Sequence, residues 1–401
     1  KFKIIILLLN SSVLREAYIC TLLNIMKITI ITSRYPSPNN PYNHMFVHMR
    51  GVEFLKQGVE VEVYVPTDTN SSYIHEGVQV YKMPSKSIAE LLKEKEIVYL
   101  HLLNIYPFSK TDGWHIYKRI LSENIPFAMY VHGSEVQKFT ARMFDFNYNL
   151  DTFLKWIKKD ILVIPKMNKF VRETKERDNC KYIFPSIWMK KELENNLRLE
   201  LEAFKVIPNG IDTDLFKFND SYENRYKLLT LRPLSSKKYA VDIAIETMKY
   251  LPDEFMLDIY GKGHLQPKYQ KQIVEAGLAK RVAIKNQFID RSEMNEFFST
   301  YGIFLSPTRM DAQGVTMCEA MASGLLVASN NNTAIPEFIQ DQENGILSNN
   351  PEELAQKIIN ATKEYKLYQS ITNQGRYSME AISISKTVSS EIKSLKEISK
   401  Q

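Results

Sequence analysis

Cysteine is nearly absent: Cys20, Cys180 and Cys318 are the three in 401 residues. They lie far apart and form neither a CxxC pair nor a His–Cys ligand spacing. From the cysteines, no disulfide framework and no zinc site are expected, and the spacing reads as a reducing compartment. Long apolar runs are lacking too. Lys1 to Leu9 has the charged and apolar parts of a leader, but it falls far below the roughly 20 residues of a spanning helix. Arg15 and Glu16 interrupt the apolar stretch, and no small-x-small cleavage site precedes the next strand. Residues 1–25 are therefore expected to be an extension outside the fold, with a membrane-surface anchor as the alternative. No block of Lys and Arg interleaved with aromatics occurs, so nucleic acid is the least favoured partner. A Walker A loop is missing, and Gly261-Lys-Gly263 lacks the third glycine of a dinucleotide fingerprint.

What is present is a globular composition, 44% hydrophobic and 24% charged, with a net charge of +6. The length suggests two domains, and the mild positive charge suits an anionic membrane or an acidic substrate. Met26 to Thr32 alternates and then runs apolar, as an inner parallel strand does. Strand-like runs recur at 59–65, 78–81, 97–102, 127–131 and 182–184, with amphipathic segments such as 45–56, 88–95 and 114–123 between them. This alternation predicts an α/β fold built on a doubly wound parallel sheet, with ligands at the carboxyl ends of the strands. Ile207-Pro-Asn-Gly-Ile-Asp212 breaks the pattern and marks a boundary. A second alternation then begins at Leu228–Leu231, with strands at 255–260, 282–288, 303–305 and 325–328 and closing helices at 351–366 and 382–398.

Polar clusters gather at the ends of these strands. After Ile303-Phe-Leu305 the chain carries Asp311, turns through Gly314 and enters a helix over 315–323, with Gly324 as its stop. Free amides at that helix start, near Gly314, Val315 and Thr316, make a place to hold an anion. Glu319 comes on the second turn. Arg232, with Lys237 and Lys238, makes a cationic pocket or a solvated basic loop. His132 heads His-Gly-Ser-Glu135 after the strand at 127–131; it is either presented to a ligand or simply opens a helix capped by Ser134. Tyr35 and His44 lie in a proline-rich loop after the first strand, and Gln287 lies at the end of 282–288. The segment 153–169 reads as a Lys-rich amphipathic helix, packed on the sheet or lying on an anionic membrane face.

Five of these stretches, in register from Met26 to the end, resemble the family-4 retaining glycosyltransferases (glycosyl transferases group 1). They are Tyr35-Pro36…Phe46-Val47-His48, His132-Gly-Ser-Glu135, Ile207-Pro-Asn-Gly-Ile-Asp212, Arg232…Lys238 and Asp311…Glu319-Ala-Met-Ala-Ser-Gly324…Ile335-Pro-Glu337. Two departures stand out: Asp311 replaces the family's first glutamate, and His44-Met45 replaces a first-loop glycine. The resemblance implies the GT-B fold, two Rossmann-like domains facing a cleft. Residues 26–205 would be the acceptor-side domain, 206–383 the nucleotide-sugar domain, and 384–401 a helix returning to the first. It also implies roles. Arg232 and Lys238, the better match, with Lys237 beside them, hold the donor diphosphate together with Gly314, Val315 and Thr316. Glu319 takes the ribose and Asp311 and His132 the donor sugar, with Tyr35 and His44 on the acceptor side; Gln287, from its place at a strand's exposed end, is expected to offer its backbone to the base.

The expected activity is transfer of a hexose-type sugar, with retention, from a nucleotide diphosphate sugar to a glycan or lipid-linked acceptor in surface polysaccharide synthesis. No cofactor or metal is expected beyond that co-substrate. The expected place is the cytoplasm, with peripheral contact at the inner membrane face. Three alternatives stay open: a nucleotide-sugar 2-epimerase of the same fold, a non-enzymatic relative acting as a scaffold, and a two-domain periplasmic-type binding protein.

Overall fold

The structure is a computed structural model that describes residues 26–38, 40–146 and 149–399; the expectation for residues 1–25 lies outside them. By its internal contacts the chain divides into two compact units. The first takes in the described residues up to Tyr130, then Lys169–Tyr182 and the chain from Val388 on; the second takes in Val131–Asn168 and Ile183–Thr387.

The first sheet has eight strands: β1 (Lys27–Thr32), β2 (Glu60–Pro66), β3 (Ser71–His75), β4 (Val78–Met83), β5 (Ile97–His101), β6 (Phe127–Tyr130), β7 (Cys180–Phe184) and β8 (Phe204–Val206). Their order is β3-β4-β2-β1-β5-β6-β7-β8. β1, β2, β4, β5 and β6 pair in parallel, while β3 runs antiparallel on β4 at the edge. The sheet's interior is not wholly apolar. Glu62 on β2 is buried, and it accepts from Thr29 Oγ1 at 2.7 Å and from Lys95 Nζ at 2.8 Å. Arg50, on the helix Met45–Lys56, pairs at 2.7 Å with Glu391 of the closing helix Ile384–Ser399, and both side chains are buried.

The second sheet comprises β9 (Lys227–Leu231), β10 (Met256–Tyr260), β11 (Val282–Lys285), β12 (Ile303–Leu305), β13 (Leu326–Ser329) and β14 (Ile346–Leu347). All are parallel, in the order β11-β10-β9-β12-β13-β14. Numbered within the sheet this is 3-2-1-4-5-6, the doubly wound order whose direction reverses between β9 and β12. Successive side chains explain why both faces are covered. Leu228, Ile303, Leu305, Leu326 and Ala328 join one apolar cluster, while Leu229, Phe304 and Val327 join the other. A strand buried on both faces reads as a near-continuous apolar run, broken here by Thr230 and Ser329, whose buried hydroxyls donate to Leu305 O and Ser306 O. The helix Val315–Ala322 supplies Met317, Cys318, Ala320 and Met321 to the second cluster.

Several expectations need correction. No helix comes directly after His132; residues 134–136 form a turn, so Ser134 caps nothing. The segment 153–169 is two helices, Leu150–Leu162 and Ile164–Thr174, divided at Val163. The strand expected to reach 288 ends at Lys285, and the helix expected to reach 366 ends at Lys363, where a further helix, Tyr365–Ala381, begins almost at once. No described helix is long and apolar enough to cross a membrane.

Candidate functional site

The reversal point of the second sheet is where its loops part and leave room for a ligand. Arg232 comes after β9 there and Ser306 after β12. Arg232 Nη2 donates to Ser306 Oγ at 2.5 Å, and Nη1 lies 3.7 Å from Asp311 Oδ2. The guanidinium also stands over the Tyr239 ring, 5.3 Å from its centre, and Lys238 Nζ is 4.6 Å from the same ring centre. One electron-rich ring thus steadies two cations, which lowers the cost of holding like charges together. Arg232 is 6% exposed, and its Nε has no hydrogen-bond partner among the described residues. A buried donor left open on a cation costs free energy unless an anion completes it. The close pass of Gly261 and Gly263 keeps Arg232 in place: a Cβ on Gly261 would collide with Arg232 O, and one on Gly263 with the Leu234 carbonyl carbon.

Across from these cations the loop 306–314 is tied from several sides. Asp311 Oδ1 accepts from Gln313 N at 3.2 Å and from Gly314 N at 2.8 Å. Gly314 has φ 78° and ψ 55°, the left-handed region, where a side chain would add strain. The helix then begins, and the amides of Val315, Thr316 and Met317 donate to no group among the described residues. Gln313 is clamped by Asn209, whose N and Nδ2 donate to its Oε1 at 2.7 and 2.9 Å while its O accepts from Nε2 at 2.9 Å. This gives the Ile207–Asp212 motif a physical task. Ser186 Oγ donates to Ala312 O at 2.8 Å, and Glu337 accepts from Ile187 N and Trp188 N, both at 2.7 Å. Arg309 grips Asp242 with two bonds of 2.8 and 2.6 Å; burial pushes the Asp242 carboxyl up, but the guanidinium outweighs it and holds the group below its usual range.

The predicted residues fall into two groups. Arg232, Lys238, Asp311, Gly314, Val315 and Thr316 converge. His132 is half-buried just after β6, and the contact from its loop to theirs is made by Gln137, whose Nε2 lies 3.2 Å from Met310 Sδ. Glu135 Oε2 accepts from Gly133 N at 3.0 Å, and burial raises its carboxyl above the usual range. Lys237 turns elsewhere: its N donates to Asp145 Oδ1 at 2.7 Å and its Nζ to Phe146 O at 3.3 Å. Gln287 is exposed beyond β11, two strands from β9. Tyr35 and His44 belong to the first unit. Tyr35 is buried, with its hydroxyl 2.9 Å from His48 Nδ1, and His44 Nδ1 is 2.9 Å from Thr32 Oγ1.

Sequence reading missed Arg291. Its Nη1 donates at 2.8 Å to Glu319 Oε1, and it stacks 5.1 Å from the Phe216 ring centre. Burial raises the Glu319 carboxyl, and Arg291 offsets that only in part. It also missed Asp212-Thr-Asp214, a carboxylate pair of metal-binding spacing; Asp212 Oδ1 accepts from Leu215 N at 3.0 Å and so closes a turn. No spacing rule singles out Arg291, which lies 28 residues from its partner.

Residues 212–378 match the family model described as Glycosyl transferases group 1. The chain carries a group 1 glycosyltransferase domain. Among curated relatives, the GtfA subunit of a UDP-N-acetylglucosamine–peptide N-acetylglucosaminyltransferase from Streptococcus gordonii is 29% identical over 126 residues, 30% of this chain and 24% of its own. The amylovoran biosynthesis glycosyltransferase AmsK of Erwinia amylovora is 30% identical over 158 residues, 37% of this chain and 38% of its own. The chain thus spans less than half the length of these two relatives. The structure of Anabaena HepE in complex with UDP superposes with a TM-score of 0.69 at 14% identity, covering 93% of this chain and all of that one. The fold of the chain is GT-B.

Proposed function

We propose that the chain is a retaining glycosyltransferase that moves a hexose-type sugar from a nucleotide diphosphate sugar to a glycan or lipid-linked acceptor. The observation that carries this reading is Arg232: a buried guanidinium with an open Nε, paired on one ring with Lys238 and set near the unpaired amides of Val315, Thr316 and Met317. Breaking a glycosidic bond to a nucleoside diphosphate leaves charge on the departing phosphates. Fixed donors aimed at that charge lower the barrier without needing to reorganise. Arg232 offers a fork, Lys238 a point charge and the helix start its amides. In this reading Arg232 and Lys238 neutralise the leaving group without a metal ion.

Glu319 takes the ribose hydroxyls and exchanges part of its contact with Arg291 to do so. His132 and Asp311 hold the donor sugar, with Tyr35 and His44 on the acceptor side. Residues 26–205 serve as the acceptor domain and 206–383 as the donor domain, with 384–401 returning to the first. The names of the relatives, an amylovoran biosynthesis enzyme among them, favour a surface glycan as product. A place at the inner membrane face is favoured by the helix Leu150–Leu162. None of its side chains is fully buried, and Leu150, Leu154 and Ile161 are exposed beside Lys155 and Lys158.

The test is a thermal-shift panel with UDP, GDP, ADP and CMP, each with and without EDTA. A ligand at a hundredfold over its dissociation constant stabilises by about 2.7 kcal/mol. One diphosphate should shift the transition, the nucleotide-dependent increment should survive EDTA, and Arg232→Ala should abolish it. A response to none of the four, or an increment unchanged in Arg232→Ala, overturns the assignment.

A further inference from the structure

Far from the donor loops in sequence, the first unit gathers three metal-ligating side chains. His48 lies on the helix Met45–Lys56; His75 ends β3, and Glu76 opens the turn into β4. One ligand atom from each lies within 4.8 Å of the other two. His48 Nε2 and Glu76 Oε2 are 3.1 Å apart, close to the ~3.4 Å between two ligands at about 2.0–2.1 Å on a tetrahedral zinc. The His48 and His75 rings stand 4.6 Å apart, centre to centre.

Three observations distinguish this group from a chance ion pair. First, His48 is fully buried while Glu76 is 63% exposed, so an imidazole held rigidly in the core meets a carboxylate that can adjust. Second, the other His48 nitrogen, Nδ1, is 2.9 Å from the Tyr35 hydroxyl. Ligating histidines commonly bond through their second nitrogen in this way, which fixes the ring and turns the Nε2 lone pair to the ion. Third, Glu76 sits at φ 45° in front of Gly77 at φ 83°, a two-residue hairpin turn with both residues left-handed. Asn and Asp favour the first place in such a turn. A glutamate held there bears strain of the sort found where a side chain has a task.

We propose that His48, His75 and Glu76 bind one divalent cation of the zinc class, leaving a fourth position for water. The two imidazoles and one carboxylate are the donor set of open zinc sites. The cation takes the place of the hydrogen bond between His48 Nε2 and Glu76 Oε2. Its effect is to staple the β3–β4 hairpin to the helix Met45–Lys56. The same hairpin reaches the proline-rich loop, where Tyr73 donates to Pro36 O at 2.6 Å. The staple therefore steadies the loop that carries Tyr35 and His44, and takes no part in charge neutralisation at Arg232.

The experiment is calorimetric titration of Zn2+ into the untagged, chelator-treated chain, with Co2+ as a spectroscopic probe. One equivalent should bind, raise the melting temperature reversibly with EDTA, and give a visible Co2+ spectrum of nitrogen and oxygen ligands. His75→Ala and Glu76→Gln should each weaken binding by ~10-fold or more, the scale of losses around metal ligands. A cooperative melting transition of each variant in the absence of Zn2+ reports that it is folded. Glu76 is on an exposed turn, so its variant serves even where His75→Ala does not fold. Absence of Zn2+ binding overturns the site, as does binding that neither substitution changes.

Discussion

Asp311 shows what one methylene does. Its carboxylate is folded back on its own loop, with Oδ1 taken by two backbone amides and Oδ2 turned towards Arg232. Two duties can therefore be separated. Asp311→Asn keeps an oxygen for the amides but loses the charge; Asp311→Ala loses both. The melting temperature of the asparagine variant should stay near wild type while sugar transfer falls. The alanine variant should also lose about 1 kcal/mol, the usual worth of such a cap. Equal melting temperatures for both variants would deny the loop-capping role. His44 supports a prediction about pH. Burial, with Arg34 nearby, lowers its pKa from 6.5 to about 4. The folded state thus takes up this proton at lower pH than the unfolded chain. Its contribution to stability is complete above about pH 6.5 and is lost as pH falls towards 4. His44 sits at φ 50°, which asparagine tolerates, so His44→Asn should flatten that slope in urea midpoints between pH 7.5 and 5. An unchanged slope would place the titration elsewhere.

At the scale of elements, what was legible came from aliphatic residues. The strands of the second sheet and the helix after Gly314 announce themselves by runs of Ile, Leu, Val and Met, and the boundary at Pro208-Asn-Gly210 by its breakers. The helix Tyr365–Ala381 was not legible, although its period is regular. It buries Tyr368, Ile371, Thr372, Gly375 and Met379, a stripe whose apolar positions are interrupted by Thr372 and Gly375. The polar edge strand Ser71–His75 was missed for the same reason, and with it the meeting of His48, His75 and Glu76 across 28 positions. The missed helix matters to the site. Its Arg376 donates to Ala322 O at 3.0 Å, Phe216 O at 2.6 Å and Thr213 O at 3.2 Å, and so caps the end of the helix that begins at Val315. Arg376→Ala should cost about 1.5–3 kcal/mol, the range for bonds to a charged donor, in urea unfolding of the second unit. Less than about 0.5 kcal/mol would mean that water replaces the guanidinium freely.

Over the whole molecule, the alternation of strands and helices made a doubly wound parallel sheet expected, and right-handed crossovers give the second sheet its order 3-2-1-4-5-6. What alternation does not reveal is how the chain's end is held. From Val388 on, the closing helix belongs to the first unit, and Glu391 is its buried anchor. Oε1 accepts from Arg50 Nε at 2.7 Å and Oε2 from the Tyr99 hydroxyl at 2.9 Å, while the Arg50 guanidinium lies 4.2 Å from the Tyr130 ring centre. Burial pushes the Glu391 carboxyl above its usual range, and the Arg50 guanidinium and the Tyr99 hydroxyl offset this in part. Such a pair adds little net stability over apolar packing, yet removing one member strands the other. Glu391→Ala should therefore destabilise the first unit by about 3–5 kcal/mol, and the double change Arg50→Met with Glu391→Leu should restore most of it. Amide hydrogen exchange reads this locally. Exchange in β5 and β6, which carry Tyr99 and Tyr130, should quicken in the single variant and recover in the double one. The strands β9 and β12 should keep their rates. Equal acceleration in both sheets would mean that the closing helix holds more than the unit it packs in, and no acceleration would mean that Arg50 finds water once its partner is gone.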